Sequence, residues 1–189
     1  MILLTPGARR ALAPPAMALL GALLLGAPGE AGAAQVYERF FGKFEGHAIM
    51  AGDEELTPRD LEVEIGPSEG GFTVEWTALL RKSDGRTKRI AFKVAFRPSG
   101  RDNIFRSAMR RNAFGHDVPL DPMKGEPYVW ATIEGEVLIV YSMMITENGG
   151  DEMQAYERKL VDKRMELTYS RVRDGEVLRT LKGELTRVE

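Results

Sequence analysis

Residues 71–98 read GFTVEWTALLRKSDGRTKRIAFKVAFRP, which is two runs of alternating residues joined by a short polar turn. Phe72 and Trp76 share one parity in the first run, and polar residues lie between them. Phe92 and Phe96 share one parity in the second run. Because successive side chains of a strand point to opposite faces, the stretch predicts a β-hairpin with one apolar and one charged face. Its Ser-Asp-Gly turn supplies the glycine that hairpin loops favour.

The rest of the chain repeats this pattern. Short alternating runs are joined by turn residues, and no long helical stretch separates them. Besides the hairpin, the predicted strands occupy residues 42–50, 59–66, 128–133, 137–146, 152–160, 163–172 and 177–188. Closure of such a meander removes its exposed edges. The sequence therefore predicts an all-β fold, a single antiparallel up-and-down barrel of about 8–10 strands with one short helix and a long loop.

The short helix is predicted within the interruption at residues 100–127. There Ile104, Phe105, Ala108 and Met109 fall on one helical stripe. The remaining surface carries Arg101, Arg106, Arg110 and Arg111. One interpretation is a brace over the barrel, which would cover the strand at 137–145 that is apolar on both faces. The other is a portal lid whose basic face contacts anionic ligands or the headgroups of a membrane surface.

The first 34 residues are typical of a secretory signal peptide. Arg9 and Arg10 precede the apolar run AMALLGALLLGA, and the small residues AGAA follow at 31–34. Cleavage near Ala33 or Ala34 would leave residues 35–189 as a single barrel domain, located in the periplasm or secreted.

Composition excludes several classes of function. The chain has no cysteine, which excludes disulfides, an acylated cysteine and a cysteine nucleophile. Its formal net charge of -2 argues against nucleic acid as the main partner.

The two ends of the predicted barrel domain carry a further pattern. Gly42 and Phe44 lie on the first predicted strand, and Arg187 lies on the last. This resembles the Gly-x-Trp and late arginine of lipocalins and their relatives, the calycins, with Phe44 in place of the tryptophan. The resemblance implies that the aromatic ring closes one barrel end and that the arginine packs over it. It also implies a carrier or sensor of a small apolar molecule, which is held inside the barrel. A cation over an aromatic face is also favourable on physical grounds.

Residues for catalysis or metal binding are few. His47 has the opposite parity from Phe44, which predicts an outward-facing strand residue. His116 precedes Asp117 in the long loop, and it could bind a metal, act as a base or hydrogen-bond its own turn. The chain contains no HExxH, GxSxG or phosphate-loop motif. We therefore predict no catalytic residue, no metal and no cofactor.

The last three predicted strands carry arginines and tyrosines that could form a binding site. Tyr156 shares a parity with Arg158, Tyr169 shares one with Arg171, and Arg179 shares one with apolar residues. If these parities face inward, guanidinium groups and phenols lie together on an apolar wall. Such cations need a carboxylate, either from Glu157 or Glu166 or from a ligand. This set resembles the Arg and Tyr anchors that bind the acid headgroup in intracellular fatty-acid-binding relatives. The alternative is that these arginines reach solvent at the barrel rim.

Three hypotheses follow. The first is a carrier of a small lipophilic or amphipathic acidic ligand, which we favour. Its predicted pocket wall is Phe72, Trp76, Phe92, Phe96, Trp130 and Tyr169. The second is a structural module with a filled barrel that docks a partner through residues 101–127. The third is an enzyme that uses His116 or a tyrosine as acid or base.

Overall fold

A computed structural model describes residues 36–51, 58–81, 85–107, 110–111, 117–118 and 120–188. The predicted leader at residues 1–34 lies outside these residues. The described residues form a closed antiparallel barrel, so the predicted fold class is confirmed. No described helix is long and apolar enough to cross a membrane.

Twelve strands are described, and ten of them form the barrel. They are β1 (Gly42–Ala51), β2 (Pro58–Ser68), β3 (Gly71–Arg81), β4 (Thr87–Pro98), β5 (Ile104–Ser107), β6 (Arg110–Arg111), β7 (Asp117–Val118), β8 (Tyr128–Glu134), β9 (Val137–Ile145), β10 (Asp151–Val161), β11 (Arg164–Arg173) and β12 (Glu176–Arg187). Each barrel strand pairs with its neighbours in the order β1-β2-β3-β4-β5-β8-β9-β10-β11-β12, and β12 pairs with β1. β6 and β7 form a separate two-stranded sheet.

The predicted amphipathic helix is not formed at residues 104–107 or 110–111, and Ala108 and Met109 of its stripe lie outside the described residues. Ile104–Ser107 is a strand, β5, which pairs with β4 on one side and β8 on the other. Arg110–Arg111 is also a strand. The short helix of the interruption is instead a 3-10 helix at Pro122–Lys124, which contacts β9. Its N-cap is Asp121, whose carboxylate accepts a hydrogen bond from the Met123 amide at 3.0 Å.

The closure predicted from the two ends of the domain is present. Phe44 on β1 lies opposite Arg187 on β12, and the Arg187 guanidinium lies 4.6 Å from the centre of the Phe44 ring. Phe44 is fully buried. Gly46, two residues along β1, lies against the β12 backbone, where a Cβ would overlap the carbonyl oxygen of Glu184. The seam between first and last strands therefore requires a glycine at this position.

Side chains fill one half of the barrel, which we call the packed half. Antiparallel pairing brings the start of β1 and β3 and the end of β2 and β4 to this half. A helical turn at residues 36–38 also lies here, and its Tyr37 ring stacks on Phe72 at 4.9 Å. Phe72 in turn stacks on Phe96 at 5.3 Å and meets Phe105 edge-on at 5.2 Å. Each of these rings is less than a tenth exposed, so this half has a solid aromatic core.

Candidate ligand-binding site

The other half of the barrel, which we call the hollow half, contains two adjoining cavities. The smaller has a volume of about 250 Å³ and the larger about 720 Å³. Trp76, Phe92, Gln154 and Tyr156 line both. Sites for small molecules usually measure about 300–1,000 Å³ and are largely apolar. The barrel is therefore filled at one end and has room for a ligand at the other.

The hairpin residues of the predicted pocket wall divide between the two halves. Phe72 and Phe96 belong to the packed half and line neither cavity. Trp76 and Phe92 stack on each other at 5.2 Å in the hollow half. Phe92 lines both cavities, yet it is 49% exposed, which the sequence did not predict. Phe92 lies on the part of β4 that does not pair with β5.

The strand beside β4, β5, is only four residues long. β5 pairs with β4 only at Phe96–Pro98, and it pairs with β8 only through Ile104, Phe105 and Arg106. Among the described residues, positions 87–95 of β4 therefore have no strand partner on this side. The larger cavity lies here, with Ser107, Leu120, Pro127 and Val129 in its wall. Among the described residues, the larger cavity therefore borders the part of β4 that β5 does not pair with.

Trp130 was predicted to lie in the pocket wall, but the structure places it on the outer face of the barrel. Its neighbours Ala131 and Val129 face inward, so Trp130 faces outward. There it stacks on Tyr141 at 5.0 Å, and it lines neither cavity. Trp130 is therefore not part of the pocket wall.

Arg158 is the unusual residue of the hollow half. Its parity on β10 points it inward, and its side chain is completely buried. Nη1 donates to the backbone carbonyl of Tyr156 at 3.1 Å, and the guanidinium carbon lies 5.2 Å from the centre of the Trp76 ring. Nε and Nη2 have no hydrogen-bond partner among the residues that the structure describes. Burial lowers the pKa of Arg158 to about 10, so it remains a cation at neutral pH.

Tyr156 and Tyr169 face each other across β10 and β11, with ring centres 4.7 Å apart. Burial raises the pKa of Tyr156 above its usual range, and the neighbouring Tyr169 adds to the shift. Burial likewise raises the pKa of Tyr169. Both phenols are therefore protonated at neutral pH. The Tyr156 hydroxyl donates to Gln154 Oε1 at 2.9 Å.

The carboxylate that pairs with Arg171 is Glu152, rather than the Glu157 or Glu166 that the sequence analysis considered. Glu152 is 2% exposed and accepts two hydrogen bonds from Arg171, at 2.8 and 2.7 Å, and two from Arg173, at 3.1 and 2.7 Å. The hydrogen bond from Arg171 is the main cause that lowers the pKa of Glu152 to about 2, against the opposing effect of burial. Arg171 is therefore satisfied within the chain. The outward-facing Glu166 lies on the surface, 3.9 Å from Lys159.

Two more arginines join Arg158 around the smaller cavity. They are Arg179, which the sequence singled out, and Arg59 on β2, which it did not. Burial lowers the pKa of Arg59, and the positive charge of Arg179 lowers it further. Glu62 is the carboxylate-bearing residue in the described lining of this cavity, and its Oε1 lies 3.1 Å from Lys43 Nζ. The described lining of the smaller cavity therefore includes three guanidinium groups.

The histidines lie away from the cavities or outside the described residues. His47 is exposed on the outer face, as its parity predicted, and its Nδ1 lies 2.9 Å from Asp60 Oδ1. His116 lies outside the described residues. In the described part of the chain, no group of three or more histidine, cysteine or acidic residues is placed to hold a metal ion.

Comparisons with known proteins find a distant structural likeness. No protein-family model matches the chain, and no curated protein matches its sequence. Among solved structures, an S-type phycobiliprotein lyase from Guillardia theta is similar with a TM-score of 0.39 and 7% sequence identity. The match covers 82% of this chain and 92% of the lyase. The function proposed below rests on the chain's own side chains.

Proposed function

We propose that this protein binds or carries a small amphipathic anion in the hollow half of its barrel. The anionic group lies against Arg158, and the apolar part extends past Trp76 and Phe92 into the larger cavity. No step of catalysis is needed for this function.

The observation that carries the proposal is the state of Arg158. A fully buried cation whose Nε and Nη2 lack partners in the described chain is costly, because desolvation is not repaid by hydrogen bonds. An anionic ligand group would supply both the countercharge and acceptors for these two donors. A guanidinium suits such a group because its fork can bind two oxygens at once.

The larger cavity supports the apolar part of the ligand. Its wall is mostly apolar and aromatic, with Val94, Val129, Val140 and Met144 among its members. It adjoins the smaller cavity at Trp76 and Tyr156. The polar and apolar parts of one amphipathic molecule can therefore be satisfied together.

Trp76 fluorescence provides the test, because Trp76 lines both cavities and lies close to Arg158. A Trp130→Phe background removes the other tryptophan, which lies on the outer face. We would titrate this variant with oleate and 1-oleoyl lysophosphatidate, below their aggregation concentrations, and with oleyl alcohol as a neutral match. We expect saturable quenching by the anions and at least tenfold weaker binding of the alcohol.

The Arg158→Gln variant should lose this preference for the anions over the alcohol. A Trp76→Phe variant, in which only Trp130 reports, should show no saturable quenching. The proposal is wrong if neither anion binds, or if Arg158→Gln binds them as tightly as the parent protein.

We also propose that the protein works outside the cytoplasm after residues 1–34 are removed. The basic start, apolar run and small residues of this stretch support the proposal. The mass of the protein isolated from the cells that make it provides the test. A mature chain beginning at Ala34 or Gln35 would support export, and an intact chain in the cytoplasm would contradict it.

A further inference from the structure

We propose that the ligand is an aromatic acid in which a flat ring lies between the acid group and an apolar substituent. The acid group binds Arg158, and the substituent extends into the larger cavity. The ring contacts Trp76, Phe92 and Tyr156, which we call the aromatic partition. This inference rests on the proposed function and narrows it to one class of ligand.

The aromatic partition reaches across the barrel. Trp76 on β3 and Tyr156 on β10 belong to opposite walls, because β4, β5, β8 and β9 lie between them on one side and β11, β12, β1 and β2 on the other. Their ring centres are nevertheless 5.1 Å apart. Phe92 on β4 stacks on Trp76 at 5.2 Å and extends the partition. Two walls of the barrel therefore meet here through contacts between rings.

The partition separates the two cavities. Beyond it, the described lining of the smaller cavity includes residues of β2, β11 and β12, such as Leu61 and Leu167. The described lining of the larger cavity includes residues of β5, β8 and β9, such as Val129 and Val140. The three rings of the partition line both cavities. A ligand that occupies both cavities therefore lies beside these rings.

Arg158 places the acid group next to the partition. Its guanidinium carbon lies 5.2 Å from the centre of the Trp76 ring and 5.9 Å from that of the Tyr156 ring. In the described linings, Arg158 borders the smaller cavity only. An acid group that accepts from Nε and Nη2 leaves the next atoms of the ligand within reach of both rings. The part of the ligand that follows the acid therefore meets aromatic side chains.

Such surroundings favour a flat ring at this point of the ligand. Aromatic rings attract each other in offset and edge-to-face arrangements, beyond the effect of the area that they bury. A saturated ring lacks this attraction and is thicker, because its hydrogens stand above and below it. Past the partition, the described wall of the larger cavity adds aliphatic side chains, including Val94, Val129, Val140 and Met144, and no further ring. That wall suits an aliphatic substituent.

The experiment compares two acids that differ only in the ring. We would measure dissociation constants of 4-pentylbenzoate and trans-4-pentylcyclohexanecarboxylate for the delipidated protein by isothermal titration calorimetry. At pH 7.5 both acids are ionised. We expect the benzoate to bind at least about fivefold more tightly. The hydrophobic effect alone gives no such preference, because the saturated ring is at least as apolar.

The two tryptophans of the chain provide matched variants. Trp76→Leu removes the central ring of the partition and should reduce the preference to less than about twofold, while both acids still bind through Arg158. Trp130→Leu makes the same change on the outer face and should keep the full preference. Phe92→Leu, at an exposed position, should lower the preference at least about twofold, and it provides the test if Trp76→Leu does not fold. Circular dichroism would check the folding of each variant.

The remaining outcomes separate this inference from the proposed function. If the two ring acids bind equally tightly, or if oleate binds and neither ring acid does, the ring inference is wrong and the proposed function stands. If the preference is unchanged in Trp76→Leu and Phe92→Leu, or is lost equally in Trp130→Leu, the ring does not bind at the partition and the inference is wrong. If none of the three acids binds, the proposed function itself is wrong, and this inference is wrong with it.

Discussion

The guanidinium of Arg187 lies over the ring of Phe44, 4.6 Å from its centre, and donates to the backbone carbonyls of Phe41 and Arg39. One side chain thus joins the last strand, the first strand and the turn before it. The aromatic ring keeps the cation at the packed end of the barrel. The hydrogen bonds to the two carbonyls fix the orientation of the guanidinium group. This contact closes the barrel between residues that are more than 140 positions apart.

Replacing Arg187 should therefore destabilise the fold. We expect Arg187→Ala to lower the free energy of unfolding by about 2–3 kcal/mol, because it removes a cation–π contact and two charge-assisted hydrogen bonds. Arg187→Lys should lose less, since it keeps the charge. Urea denaturation provides the measurement.

Arg164→Ala is the control, because its exposed ion pair with Glu184 should contribute at most about 1 kcal/mol. Equal losses in both variants would contradict a special role for Arg187.

Replacing Arg158 should have the opposite effect on stability from replacing Arg187. We expect Arg158→Met to raise the free energy of unfolding of the ligand-free protein by about 1–3 kcal/mol, because a buried cation with unpaired donors is replaced by an apolar side chain. The same variant should lose binding of anionic amphiphiles. Urea denaturation of delipidated protein provides the measurement. A clear loss of stability would show that Arg158 has a mainly structural role.

Glu152 should make stability depend on pH. Its pKa in the folded protein is about 2, below the ordinary value of 4.5, so its contribution is complete above about pH 5 and is lost as the pH falls toward 2. We expect Glu152→Gln to cost about 2–3 kcal/mol at pH 7 and to weaken the decline of stability between pH 5 and pH 2.5. Urea midpoints of the parent and the variant, measured across this pH range, would test both expectations. Glu166→Gln, at an exposed pair, is the control and should change stability by less than about 1 kcal/mol. An unchanged pH profile in Glu152→Gln would contradict the assignment.

Two glycines should differ sharply in their tolerance of a methyl group. A Cβ at Gly46 would overlap the β12 backbone at Glu184, whereas a Cβ at Gly66 would have no atom within 4 Å. We expect Gly46→Ala to cost about 2–3 kcal/mol or more, because the seam between β1 and β12 must open. Gly66→Ala should change stability by less than about 1 kcal/mol. Thermal unfolding of both variants provides the comparison, and similar melting temperatures would contradict the close approach at the seam.

The alternation of apolar and polar residues predicted most of the barrel, because strand parity depends only on local sequence. It placed Trp76, Tyr156 and Arg158 inside, and the structure brings them together. The sequence analysis placed Trp130 on the inner face wrongly, because both faces of its strand carry apolar residues. Its large ring suggested the inner face, but the smaller Ala131 and Ile133 are the buried residues.

β5 was missed for a different reason. Four residues are too few for alternation to be distinguished from a helical stripe, and Ile104 and Phe105 fit both patterns. Its assignment depends on pairing with β4 and β8, which are distant interactions that local periodicity does not contain.

Glu152 could have been found from the sequence. It shares the parity of Tyr156 and Arg158, and a tight turn at Asp162 places it opposite Arg173. Glu157 and Glu166 were closer in sequence to the arginines, but they have the outward parity. Arg59 had no comparable signal, because its approach to Arg179 depends on how the barrel closes.

The division of the barrel into a packed half and a hollow half also has a consequence for local unfolding. Every long strand runs through both environments, so its two ends are held by different amounts of buried apolar surface. Amide hydrogens near Phe72, Phe96 and Phe105 should exchange with deuterium only when the whole domain unfolds. Those along positions 87–95 of β4 should exchange through small openings, and a bound ligand would slow them.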